Sequence, residues 1–397
     1  MLVKSSACKV DTICAPRPSS RNPSPAMSSA PHTPIRVAII GYGLAGSTFH
    51  APFIVTTPSL EVCAVVTRDP ERRAQASRDH PRARLFDTAD ELWAHAGELD
   101  LVVIATPNRT HVPLARAALQ VGLAVVVDKP FAPTAAEAEA VIAEASKRGL
   151  FLTVYHNRRW DGDFITLRQL VAAGSLGTVF RFESRFDRWR PTPKGNWRER
   201  GDPAEAGGIL YDLGSHLIDQ ALVLLGPVTS VYAEMDRRRG GVEADDDSFL
   251  ALRHASGARS HLGMSAVAAQ TIVRLRVLGS RAAYVKRGLD VQEEALRRGE
   301  RPDRPGWGEE PPERWGSLGA GDDVHPVPTA RGEYPAFYAG VARALREGGP
   351  PPVDPEDALA GLRIIEAAQR SAATGSVIQL DAARSMTSSL KPKGSSK

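Results

Sequence analysis

The sequence predicts a parallel, doubly wound α/β sheet followed by an α+β unit built on a mostly antiparallel open sheet. Three observations predict it. Residues 35–155 alternate short apolar runs with segments of helical spacing, as strands buried on both faces and crossed over by helices do. The first run leads at once into Gly41, Gly43 and Gly46, which end a strand and open a helix. After Tyr155 the alternation stops, and from Val228 to Lys286 strand signals follow one another with no helical segment between them.

The apolar runs of the first part are Ile35–Ile40, Leu60–Val66, Ala83–Phe86, Leu101–Ala105, Leu123–Val127 and Phe151–Tyr155. Helical spacing predicts helices near 44–56, 70–79, 88–96, 110–121 and 134–148, with Gly122 and Gly149 where helix ends need them. In the second part a helix near 161–173 stops at Gly174, a strand covers Val179–Asp187, and a helix near 211–225 stops at Gly226-Pro227. Val273-Arg274-Leu275-Arg276-Val277 alternates as a strand with one covered face does. Residues 288–330, dense in Pro, Gly and charge, are expected to be irregular, and helices near 333–347 and 355–374 close the fold. The expected division is a disordered tail 1–33, a first domain 34–155, a second domain 156–380 and a disordered tail 381–397, with Met27 as an alternative start.

Composition excludes several classes of function. The net charge of +4 sits in the tails, each of which carries +3, so the body is at −2. The pI of 9.0 therefore gives no support for a nucleic-acid surface. Cys8, Cys14 and Cys63 have neither metal nor disulfide-framework spacing, which suits a reducing cytoplasm, and no metal is expected. No apolar run approaches the roughly 20 residues a membrane span needs.

Gly41-Tyr42-Gly43-Leu44-Ala45-Gly46 fits the dinucleotide-binding turn of a Rossmann domain. The first glycine permits the tight turn, the second lets a pyrophosphate reach the backbone, and the third lets helix pack on strand. Free N–H groups at the helix start then face the phosphates. The ribose is read at the end of the second strand, where an NAD enzyme usually places a carboxylate. Here stand Thr67 and Arg68, with Arg72 one turn on, and guanidinium pairs with a 2′-phosphate. Asp69 is the counter-argument, unless it caps the next helix. The expected cofactor is NADP, with NAD as the alternative.

Lys129 closes the fifth strand, at the sheet edge where ligands bind, in Asp128-Lys129-Pro130. A lysine there donates to a substrate hydroxyl and favours its alkoxide. Asp212 and His216, four apart near a helix start, are expected to share a face, the carboxylate orienting a general base. The competing reading is a capping aspartate with a structural histidine.

With these motifs in order, residues 35–375 resemble the glucose–fructose oxidoreductase/inositol dehydrogenase family. The shared elements are the glycine turn, a K-P pair after the fifth strand and Gly207-Gly208-Ile209-Leu210-Tyr211-Asp212-Leu213-Gly214-Ser215-His216. The resemblance implies Lys129, Asp212 and His216 as the catalytic group. It also implies that Ala105-Thr106-Pro107-Asn108 and His111 line the nicotinamide side. Asp128 stands where the family has glutamate, which withdraws a carboxylate by one methylene. Tyr155-His156-Asn157-Arg158-Arg159-Trp160 and Gly288–Glu293 resemble the subgroup holding NADP-dependent scyllo-inositol dehydrogenases, which implies a polyol or cyclic sugar as substrate. Asn157, Arg159, Trp160 and Trp197 offer donors and flat faces to such a ring, and each also has a structural reading. The resemblance implies a cis Lys129-Pro130 bond. The second sheet's apolar residues suggest a homodimer or homotetramer. The rival class is a cofactor-binding, sugar-responsive regulator on the same fold.

Overall fold

The computed structural model describes residues 33–270 and 273–381. The expected tails thus lie outside the described residues, apart from Thr33 and Asp381.

The first sheet has six parallel strands: β1 (Ile35–Ile40), β2 (Leu60–Val66), β3 (Arg84–Phe86), β4 (Leu101–Ile104), β5 (Ala124–Val127) and β6 (Leu152–Val154), in the order β3-β2-β1-β4-β5-β6. Val37, Val103 and Val126 are fully buried, as expected of strands covered on both faces. The order reverses between β1 and β4, which pair Ile40 with Ile104. That reversal opens the crevice at the carboxyl ends where the glycine turn sits.

Caps explain where the helices start and stop. Asp69 caps α2 (Pro70–Asp79), its side chain accepting from Arg72 N at 3.0 Å, with Pro70 at the first position. Thr134 caps α5 (Ala135–Arg148), which Gly149 ends at φ 64°. The other helices of this half are α1 (Ala51–Thr56), α3 (Ala89–Trp93) and α4 (His111–Gln120).

The second half begins with α6 (Gly162–Ala172), β7 (Val179–Asp187) and α7 (Ser215–Leu225). Four strands follow with no helix between them: β8 (Val228–Asp236), β9 (Asp247–His254), β10 (Arg259–Ser265) and β11 (Val273–Gly279). Then come β12 (Ala283–Arg287), α8 (Gln292–Arg297), β13 (Gly316–Ala320), β14 (Asp323–Val327), α9 (Pro335–Glu347), α10 (Pro355–Thr374) and β15 (Ile378–Gln379). The sheet has nine strands ordered β14-β13-β12-β11-β7-β10-β9-β8-β15, with β7 and β10 parallel and every other neighbouring pair antiparallel.

Residues 288–330 correct the sequence expectation. They hold α8 and the hairpin β13–β14, which extends the sheet beyond β12. Gly316-Ser317-Leu318-Gly319-Ala320 has little intrinsic strand preference, and Pro326 reads as a breaker. Pairing with β12 supplies the order, and β14 is an edge strand, where proline is tolerated.

Leu275 and Val277 point into the core and Arg276 points out, as the alternation predicts. Arg274 does not follow. A register shift between Val273 and Leu275 turns it inward, where its guanidinium donates to Ser184 Oγ and Gln220 Oε1.

The last segments return to the first half. Trp307, Tyr334, Phe337 and Tyr338 share one apolar core with Ile39, Phe53 and Val103. Helix α10 packs against α5 and β6 on one side and α7 and β8 on the other. No helix among the described residues is long and apolar enough to cross a membrane.

Candidate active site

The glycine turn is built as its spacing implies. Gly41 has φ +94°, and a Cβ there would meet Ala105 O at 2.5 Å. A Cβ on Gly46 would lie 2.0 Å from Gly41 O, so strand and helix touch through bare backbone. Gly43 faces a more open side, with the Arg72 guanidinium 3.5 Å from where its Cβ would be. The turn runs into a π-helical segment, Ala45–His50, that Leu44 starts without a side-chain cap. Its first N–H groups are thereby left for a ligand. Tyr42 contributes backbone only: its ring is buried and its hydroxyl meets Asp79 and His80, each at 2.8 Å.

Thr67, buried, donates its N–H to Phe86 O at 3.0 Å, and Arg68 after it is exposed. Asp69 Oδ1 accepts from Arg72 N as the α2 cap, the structural role that the sequence offered as its alternative.

Lys129 and Asp212 come together. Lys129 Nζ donates to Asp212 Oδ1 at 3.0 Å and to Asp212 O at 2.8 Å, and the Lys129-Pro130 bond is cis. The expected Asp212–His216 pairing is corrected. Asp212 lies in a π-helical turn, Leu210–Gly214, and α7 begins only at Ser215. The carboxylate goes to Lys129, with Arg198 at 3.6 Å and Arg188 at 4.0 Å. His216 Nδ1 is buried without a hydrogen-bond partner among the described residues, and the ring stands edge-on to His156, 6.3 Å between centroids.

These groups line one cleft of about 200 Å³ with Leu44, Ala45, Asp128, Tyr155 and Asn157. Burial pushes the Asp212 carboxyl up, but Lys129, Arg198 and Arg188 outweigh it and hold the group well below the usual carboxylate range. Burial, reinforced by Lys129, Arg158 and other cations, holds the His216 imidazole well below its ordinary value, so it stays neutral. Burial also acts upward on Asp128, and His50 with Lys129 more than offsets it. Asp128 Oδ1 accepts from Lys129 N at 2.8 Å and lies 3.8 Å from His50 Nε2. A neutral base, a lysine donor and an anchored carboxylate in one cleft can deprotonate a hydroxyl.

Other predicted residues serve the walls. His111 binds Pro130 O at 2.8 Å and Thr106 O at 2.9 Å, fixing the Lys129 loop to the fourth-strand loop. Asn108 donates to Ala206 O at 3.1 Å, and Pro107 beside it is exposed. Arg159 is half-buried and does not line the cleft: it pairs with Asp219 at 2.6 Å and Asp357 at 3.0 Å, a bridge between α7 and α10. Trp160 packs edge-on against Phe337, ring centroids 5.8 Å apart, and Trp197 stacks under Arg198 at 4.3 Å. Neither lines the cleft. His50, Tyr155, Arg158, Arg188, Arg198 and Glu293 were not anticipated. They come from five separate segments; Tyr155, Arg158 and Glu293 fall within the two motifs that carry the subgroup resemblance but were given no role, and nothing local marks the other three.

The chain was compared with known proteins. Residues 35–156 match the model of the GFO/IDH/MocA oxidoreductase family's NAD-binding Rossmann fold, and residues 168–380 match its C-terminal alpha/beta domain. The uncharacterised oxidoreductase YdgJ of Escherichia coli (strain K12) is 42% identical over 340 residues, spanning 85% of this chain and 96% of its own. The scyllo-inositol 2-dehydrogenase (NADP(+)) IolW of Bacillus subtilis (strain 168) is 35% identical over 351 residues, spanning 87% and 96%. Among solved structures, the oxidoreductase yvaA from Bacillus subtilis superimposes with a TM-score of 0.83 at 34% identity, covering 88% of this chain and 99% of its own.

Proposed function

The chain belongs to the GFO/IDH/MocA oxidoreductase family, and from that premise we propose that it is an NADP-dependent dehydrogenase acting on a carbinol of a cyclic polyol or sugar, such as scyllo-inositol. The observation that carries the reading is the meeting of Lys129, Asp212 and His216 in the cleft that begins at the glycine turn.

The residues present fit the cofactor. Gly41 and Gly46 close the turn, and Gly43 with the N–H groups after Leu44 receives the pyrophosphate. Arg72 beside Gly43, with exposed Arg68, would supply the charge for a 2′-phosphate, while Asp69 caps α2 through one carboxylate oxygen. When bound, NADP supplies the hydride acceptor or donor at the nicotinamide ring. The remaining work is done by side chains. Neutral His216 takes the hydroxyl proton. Lys129 donates to the same oxygen and stabilises negative charge on it. Asp212 fixes the lysine amine in place and balances its charge. Asn157 orients the ring, and Asp128 and His111 hold the Lys129 loop.

The test is absorbance at the NADPH band while a polyol panel is screened with NADP and NAD. The expected result is turnover of a cyclic polyol or sugar, with kcat/KM for NADP at least about tenfold above NAD, since charged hydrogen bonds contribute roughly 1.5–3 kcal/mol. Arg68→Ala and Arg72→Ala should narrow that ratio. A preference for NAD would remove the 2′-phosphate reading, and no turnover across the panel would favour the regulator. The cytoplasm, where NADPH is a reductant, is the proposed location.

A further inference from the structure

The segment that follows β7 carries Arg188, Arg190, Lys194 and Arg198 into the Asp212 side of the cleft. These four also line an adjoining hollow of about 90 Å³ that opens off the same side. They are poorly matched by negative charge. Arg188 stacks on Phe186 at 4.8 Å and comes no nearer than 3.7 Å to Glu293 and 4.0 Å to Asp212. Arg198 lies 3.6 Å from the same Asp212 carboxylate. The Arg190 and Lys194 side chains have no ion pair or hydrogen bond among the described residues.

The acids nearby are already engaged. Asp212 serves Lys129, and Glu293 is held by Arg158 and Arg297. Glu199 accepts from Lys194 N, Gly195 N and Arg239. Asp246 accepts from Arg238 N and pairs with Arg239, and Asp245 accepts from Leu210 N and Ser248 Oγ. Burial lowers Arg188 more than Asp212 and Glu293 raise it, and Arg190 and Arg158 lower it further, as befits a guanidinium short of anions. The cofactor phosphates are assigned to the glycine turn, whose Leu44 and Ala45 are a separate part of the cleft wall from the segment that carries these four cations. His216 lines the same cleft, and its Nδ1 is buried without a hydrogen-bond partner among the described residues.

We propose that the substrate is an anionic sugar or polyol, bearing a carboxylate or a phosphate ester that Arg188, Arg190, Lys194 and Arg198 receive while its carbinol faces Lys129 and His216. The proposal rests on the dehydrogenase reading and replaces the neutral example given there, scyllo-inositol, with a charged sugar or polyol. Convergent guanidinium and ammonium groups in a cleft with low-dielectric walls concentrate anions and select against neutral analogues.

The experiment uses matched pairs: glucose against glucuronate and glucose 6-phosphate, and myo-inositol against its 1-phosphate. NADPH formation is followed, and in parallel the binding of each compound to NADP-loaded protein is measured by calorimetry. The expected result is that a charged member exceeds its neutral partner at least tenfold in kcat/KM or affinity, the advantage shrinking as salt rises. The uronate and phosphate arms identify which anion is read. Arg190→Gln/Lys194→Gln should reduce the charged-to-neutral ratio at least tenfold. Neutral compounds that turn over as well as charged ones, with a salt-independent KM, overturn the proposal and leave the dehydrogenase standing. Charged compounds that bind with the expected preference but never reduce NADP support the anion site and strike the dehydrogenase reading instead. Charged compounds that give no binding heat overturn the anion site whatever the turnover.

Discussion

Asp212 and Arg159 each have other partners in the structure than the sequence suggested. D-x-x-x-H spacing suggested a carboxylate that orients a histidine, and the structure gives that carboxylate to Lys129. Arg159 looked like a substrate ligand and is instead locked between Asp219 and Asp357. Spacing along the chain cannot show which cation a carboxylate meets, because Lys129 lies at a distant strand end and Asp219 and Asp357 lie on distant helices. Three outcomes follow. His216→Ala should lower kcat by roughly 10²–10⁴-fold while NADP affinity stays near wild type, measured by steady-state kinetics and cofactor titration. In the wild type, neutral His216 is the working form and its pKa is depressed, so the acid limb of kcat/KM should fall below the ordinary histidine range. Arg159→Met should cost about 3–5 kcal/mol in denaturant unfolding, since it leaves two buried carboxylates without their guanidinium. A stability within about 1 kcal/mol of wild type, with KM raised instead, would return Arg159 to the substrate.

At the scale of elements, the first sheet was almost fully legible. Its strands are continuous apolar runs, and its helices carry their own caps at Asp69, Thr134 and Gly149. The hairpin β13–β14 was not, because its pairing comes from β12 rather than from its own residues. Elements are also joined by buried polar groups that no periodicity reveals. His254 on β9 binds Gly226 O, at the end of α7, and Ser260 Oγ on β10, both at 2.7 Å. Burial lowers its pKa to about 4 against the carbonyl's opposing pull. A histidine held neutral in the fold and titrating near about 6.5 when unfolded stabilises fully above that value. Its contribution is lost as pH falls toward about 4, up to roughly 3 kcal/mol. His254→Gln should therefore lose less unfolding free energy than wild type between pH 7 and pH 4.5. Parallel pH curves for the two proteins would show that His254 is not a source of the acid sensitivity.

For the whole molecule, the nine-stranded sheet poses the question of what covers its second face. The inner face is closed by α7 and α10, while Tyr232, Phe249, His261 and Leu278 on the outer face remain partly accessible among charged residues. We expect this face to pair with its copy across a twofold axis, giving a dimer or a tetramer built from dimers. Light scattering at micromolar concentration should give two or four chain masses, and Phe249→Glu should shift the result toward one. A monomer in the wild type would leave the face to solvent.

The shared core of Trp307, Tyr334, Phe337 and Tyr338 with Ile39 and Phe53 has a consequence for how the protein is made. A nascent chain leaves the ribosome from its amino end, so the six strands of the first sheet emerge well before those aromatics. Until residues up to about Val353, whose carbonyl accepts from Thr153 Oγ1 at 2.6 Å, have followed, that sheet keeps one flank open. The nucleotide-binding half thus precedes in the chain the residues that seal it, and its apolar flank is exposed on the ribosome until they have been made.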